Sequence, residues 1–89
     1  MKSPEFNPHL KTIYLKAAAT QLQANNPPET RQAFDRLRGM GYSEKDAKTL
    51  IASVIACESY VVIKSGKPYD HDRFVRNLKR LPDQEFEEE

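Results

Sequence analysis

The chain has a single cysteine, no tryptophan and three glycines in 89 residues. Cys57 alone can close no internal disulfide and cannot supply a cysteine-based zinc site. Few glycines argue against an all-β fold, which needs many glycine turns. No apolar N-terminal run resembles a signal peptide, and no stretch approaches eighteen apolar residues, so a cytoplasmic chain without a membrane span is expected. Histidine is nearly as scarce. His9 and His71 fall at the starts of expected helices and are read as exposed bystanders. The sequence offers no catalytic residue, cofactor site or metal ligand set, and a non-enzymatic protein is expected.

A hydrophobic fraction of 38% and a charged fraction of 30% fit one folded domain. The formal net charge is +1, yet it is unevenly placed. Five of the thirteen acids lie in Asp83-Gln84-Glu85-Phe86-Glu87-Glu88-Glu89, which leaves eight against fourteen bases in residues 1–82. The body is basic and the end acidic. The spacing gives a helical domain over 1–82 and an acidic tail over 83–89 that is expected to be disordered, because like charges repel and Phe86 is its only apolar residue.

The longest periodic stretch is Ser43 to Ser65. Ala47, Leu50, Ile51, Val54, Ile55, Val61 and Val62 recur at three- and four-residue intervals, the spacing of one helical face. Ser43 with Asp46 three residues on forms a capping pattern, and Gly66 followed by Pro68 marks the end. A first helix is expected from Pro8 to about Gln23, capped by Asn7 after a loose lead-in over 1–6. Its apolar face would be Leu10, Ile13, Tyr14, Ala17, Ala18 and Leu22, and Ala17 to Ala19 would permit close helix approach. A second helix would start with Asn26 as cap, Pro27 at the first position and Glu29 completing a capping box. It would turn Ala33, Phe34 and Leu37 inward and leave at Gly39 to Gly41. A last helix, capped by Asp70, would run from His71 to Arg80 with Phe74, Val75, Leu78 and Leu81 inward. The fold class is therefore all-α, a single-domain four-helix bundle with a long central third helix.

Three groups of residues stand out as candidates. Glu58 lies on the central stripe between Ile55 and Val62, where a carboxylate needs a partner from a neighbouring helix or has a functional role. Cys57 beside it reads as a small buried hydrophobe. Arg73, Arg76, Lys79 and Arg80 make a basic face on the last helix that could contact phosphates or an acidic partner, and the acidic tail could fold back over it. Tyr60, if it faces outward from the central helix, marks a candidate interface for a protein partner or a second copy. Met40-Gly41-Tyr42 is superficially similar to the loop of ubiquitin-associated domains, but the uninterrupted helix that follows makes it turn chemistry.

Asn7-Pro8-His9-Leu10, Asn26-Pro27-Pro28-Glu29-Thr30-Arg31, Gly41-Tyr42-Ser43-Glu44 and Lys64-Ser65-Gly66-Lys67-Pro68-Tyr69-Asp70 together resemble a bacterial family of short helical proteins catalogued as a domain of unknown function. The likeness spans residues 7 to 82. It implies a helical fold and, in some members, a metal site of first-helix histidines, a carboxylate and a histidine early in the long helix. The corresponding positions here are Lys11, Leu15, Ala19 and Lys48, none a plausible ligand, so a lost or degenerate metal site is expected. The functional expectation is a protein-interaction module. Its alternatives are nucleic-acid binding through the last helix, or a degenerate metal-binding protein centred on Glu58.

Overall fold

Four helices follow one another along the chain: α1 (Pro8–Ala24), α2 (Pro28–Gly39), α3 (Glu44–Ser65) and α4 (His71–Arg80). They are seen in a computed structural model that describes residues 8–88, and of Pro8 the backbone alone. The expected lead-in, the Asn7 cap and Glu89 lie outside the described residues. A radius of gyration of 12.1 Å matches the ~12 Å of one folded domain of this length.

α3 is the spine of the bundle. Ser43 Oγ accepts from the Asp46 N–H at 3.0 Å, and Gly66 ends the helix in the left-handed region at φ 71°. Its 22 residues touch α1, α2 and α4, whereas α1 and α4 do not meet among the described residues. Ala47, Ile51, Ala52 and Val54 are fully covered, and around them close Ala18, Leu22, Ala33, Phe34, Leu37, Phe74, Leu78 and Leu81. Burying such side chains contributes roughly 1.5–3 kcal/mol each for the larger ones.

Two expectations about the first half of the chain need correction. On α1 the buried stripe is Tyr14 and Leu15, then Ala18, then Leu22. Leu10 and Ile13 are exposed, because at 100° per residue they fall well to one side of that stripe. α2 starts one residue later than expected. Pro27 is extended (φ −74°, ψ 152°) and Pro28 takes the first helical position. A residue before proline is pushed out of the helical region, so the second proline of the pair sets the start. No side chain caps this helix, and Glu29 closes no capping box; its Oε2 lies 3.9 Å from His71 Nε2.

The α2–α3 link is set by glycine. Gly41 has φ 102°, and the Tyr42 N–H donates to the Leu37 carbonyl at 3.1 Å, which satisfies an orphan carbonyl at the end of α2. α4 begins where expected: Asp70 Oδ1 accepts from the Arg73 N–H at 3.1 Å. Its far end is closed from α2. Arg36 donates to the carbonyls of Leu81 at 2.6 Å and Leu78 at 3.0 Å, which answers the unpaired carbonyls every helix end presents.

Candidate functional site

The α3–α4 junction gathers most of the residues that stood out. Glu58 projects from the middle of α3 and is 4% exposed. The short Gly66–Asp70 link turns the chain back, so α4 delivers Arg73 to the same point. Arg73 Nε donates to Glu58 Oε1 at 3.0 Å and Nη2 to Oε2 at 2.8 Å. The backbone N–H of Asp70 donates to Oε2 as well, at 3.1 Å. A forked pair of this kind is directional and charge-assisted. The bond to Glu58 raises the Arg73 pKa above its ordinary value, and the nearby Asp70 carboxylate, 4.0 Å from Nη1, adds to it. These three bonds tie α4 and the residue before it to α3. Arg73 is consequently removed from the basic face assigned to it: it is buried, because a partner across the junction outcompetes water.

Cys57 is buried beside this pair. Burial pushes its thiol pKa up to about 11, helped by the Glu88 and Glu58 carboxylates. A thiol held neutral is no nucleophile. His9 and His71 are exposed, and Tyr69 Oη sits 2.9 Å from His71 Nδ1. Among the described residues no three His, Cys, Asp or Glu side chains gather where a metal ion could sit. Leu15, Ala19 and Lys48 do line one shallow cleft between α1 and α3, shared with Lys45 and Glu44, but none of the three can act as a ligand there.

Residues 83–88 turn back over the basic face of α4, the fold-back course, and lie as an extended strap in the groove between α3 and α4. The strap runs along α3 from Ser53 toward Lys64 and opposite to α4. Gln84 Nε2 donates to Ser53 Oγ at 3.0 Å, and Arg80 donates to the Glu85 carbonyl at 2.8 Å. Phe86 packs against the core. Arg76 then grips the Glu87 carboxylate with two bonds of 2.9 and 2.7 Å. That fork holds Glu87 below the usual carboxylate range and Arg76 above its own.

Asn77 reads the strap's backbone. Its side chain is fully buried; Nδ2 donates to the Glu87 carbonyl at 2.9 Å and Oδ1 accepts from the Glu87 N–H at 2.8 Å. The amide thus pairs with the main chain as a neighbouring β-strand would, without regard to the side chain carried there. Sequence reasoning missed Asn77. The signal was present: it stands between Phe74 and Leu78 on the inward stripe of α4, where a polar residue demands a partner.

The four cations of α4 therefore have different fates. Arg73 pairs with Glu58, Arg76 with Glu87, and Arg80 with the strap backbone, while Lys79 is exposed with no ion-pair partner among the described residues. Tyr60 is half-buried, with the Lys64 ammonium 5.4 Å above its ring.

Fold and groove together define a small all-α bundle with a strapped helical groove. No family model, curated protein or solved structure matches the chain. No helix among the described residues is long and apolar enough to cross a membrane.

Proposed function

We propose that the protein is a non-enzymatic interaction module, bacterial and cytoplasmic, whose binding face is the α3–α4 groove. In this reading the acidic strap is a resident ligand that occupies the groove in cis. The observation that carries it is the two-bond pairing of Asn77 with the Glu87 backbone. A fully buried amide aimed at a main chain, beside an arginine that forks a carboxylate, is equipment for holding an extended acidic segment. Chemistry has nothing comparable to draw on: the buried carboxylate is neutralised by Arg73 and the thiol is kept protonated.

Nucleic-acid binding has less support. With Arg73 buried, at most three cations of α4 are left for phosphates, and two of them are engaged by the strap. A degenerate metal protein centred on Glu58 has less still, since three donors already surround that carboxylate.

The test uses the full chain. Glu87→Lys sets two cations against each other and should release the strap. Binding of a fluorescein-labelled Asp-Gln-Glu-Phe-Glu-Glu peptide is then followed by anisotropy. A short tether gives an effective concentration on the order of millimolar, so an intrinsic affinity of about 100 μM leaves the parent at least tenfold weaker than the opened variant. Equal binding by the two folded proteins, or none by either, sinks the reading.

A further inference from the structure

Phe86 and Glu88 of the strap line a half-open cavity of about 780 Å³, together with Tyr60, Val61, Lys64 and Lys67. That volume lies in the range of ligand clefts. Asp70 and Arg73 line it too, so the cavity and the strap's path share one surface.

We infer that this cavity is the distal end of the same groove and receives acidic residues of a partner protein's extended segment. The inference rests on the binding face proposed above and adds the place where the partner's further acids are held. Three observations support it. The first is register: an extended chain advances about 3.3 Å per residue, so a segment held by Asn77 and Arg76 at the Glu87 position enters the cavity within the next two or three residues. The second is charge. Arg73 and Glu58 neutralise each other, and Asp70 is turned toward Arg73 and the α4 N-terminus. Departure of the strap takes Glu88 away and frees Arg76 and Arg80, so a displacing segment meets Lys64, Lys67, Arg76 and Arg80 against Asp70. The third is positioning. Lys64 is held over the Tyr60 ring at 5.4 Å, which places its ammonium at the cavity rather than leaving it to wander in solvent. A carboxylate arriving beside it gains a charge pair on a partly apolar floor, where screening is weaker than in open water.

The partner is therefore an extended segment that reads aromatic, acid, acid, and then continues acidic. The strap is its competitor and sets the affinity threshold that a partner must exceed.

The experiment compares three amidated peptides on the full-length opened protein carrying Glu87→Lys. Asp-Gln-Glu-Phe-Glu-Glu is the reference, and the other two extend it by Asp-Asp or by Ser-Ser. Anisotropy is read at 50 and 200 mM salt. The Asp-Asp extension should tighten binding at least fivefold at the lower salt, and the Ser-Ser extension less than twofold. In a second protein that also carries Lys64→Gln and Lys67→Gln, the ratio between acidic and reference peptides should fall to about one. Circular dichroism checks that each variant stays helical, and Phe86→Ser replaces Glu87→Lys if the latter does not. A reference peptide that binds with no gain from Asp-Asp, or a gain that survives loss of both lysines, overturns this inference and leaves the binding face standing. Failure of all three peptides overturns both.

Discussion

Replacing Glu58 by alanine tests the claim that the α3–α4 junction is held by one buried ion pair. The substitution strands the Arg73 guanidinium, 6% exposed, with only the Asp70 carboxylate at 4.0 Å, and it takes away the acceptor of the Asp70 N–H. Breaking a buried pair by removing one partner costs about 3–5 kcal/mol, most of it from the charge left behind. A chain of this length is held by on the order of 4–13 kcal/mol in total. The variant should therefore lose about a quarter or more of its stability. With about 4–8 °C of melting temperature per kcal/mol for a domain this small, it should melt at least ~12 °C lower. Arg73→Ala strands Glu58 in the same way and should cost a similar amount. The double variant Glu58→Ala/Arg73→Ala leaves no unpaired charge, so its loss should fall short of the two single losses added together by 1 kcal/mol or more. Urea unfolding followed by far-ultraviolet circular dichroism measures all three. A Glu58→Ala loss under about 1 kcal/mol, or single losses that simply add, would refute the reasoning.

Other expected outcomes follow from local contacts. Ser43→Ala removes the acceptor of the Asp46 N–H and should cost about 1 kcal/mol by urea unfolding. Gly66→Ala should cost about 1–2 kcal/mol through backbone strain alone, since φ is 71° and an added Cβ meets nothing within 4 Å. Glu87 and Asp70 both have carboxyl pKa values held below their ordinary 4.5 and 3.8, Glu87 by the Arg76 fork and Asp70 by the Arg73 N–H. A depressed carboxylate contributes stability that is complete above its unfolded value and disappears as pH falls through its folded value. The strap and the α4 cap should therefore hold at neutral pH and loosen below pH 4. The Asn77 side-chain amide signals in NMR report it, and unchanged signals down to pH 2 would count against strap docking through Glu87. Cys57, with its thiol at about 11, should resist a disulfide reagent at pH 8 and react only as fast as urea exposes it. Rapid labelling of the native protein would contradict its burial.

The parts of the fold that were legible from sequence are those fixed by neighbours along the chain. Ser43 and Asp70 bond to the backbone three residues on, and Gly66 and Gly41 turn where only glycine turns freely, so α3 and α4 have the boundaries their residues announce. The Phe34–Leu37 and Phe74–Leu78 stripes were legible for the same reason. What was not legible depends on groups far apart in sequence. The α1 periodicity admits more than one face, and only packing on α3 chooses Leu15 over Ile13. Arg73, Arg76 and Arg80 share a spacing that reads as one solvated face, yet each is drawn to a different acceptor. For the tail, repulsion among its own acids pointed to disorder and the basic face of α4 pointed to fold-back, and composition alone could not choose between them. The asparagine on the apolar stripe of α4, which holds the tail's backbone, was visible in the sequence.

Arg36 gives the strap a fixed hinge. It clasps the Leu78 and Leu81 carbonyls immediately before the strap begins, so the two are anchored to α2, a helix that has no part in the groove. Under the displacement proposed above, that clasp should keep the strap's root pinned and the last turn of α4 wound while the rest of the strap leaves.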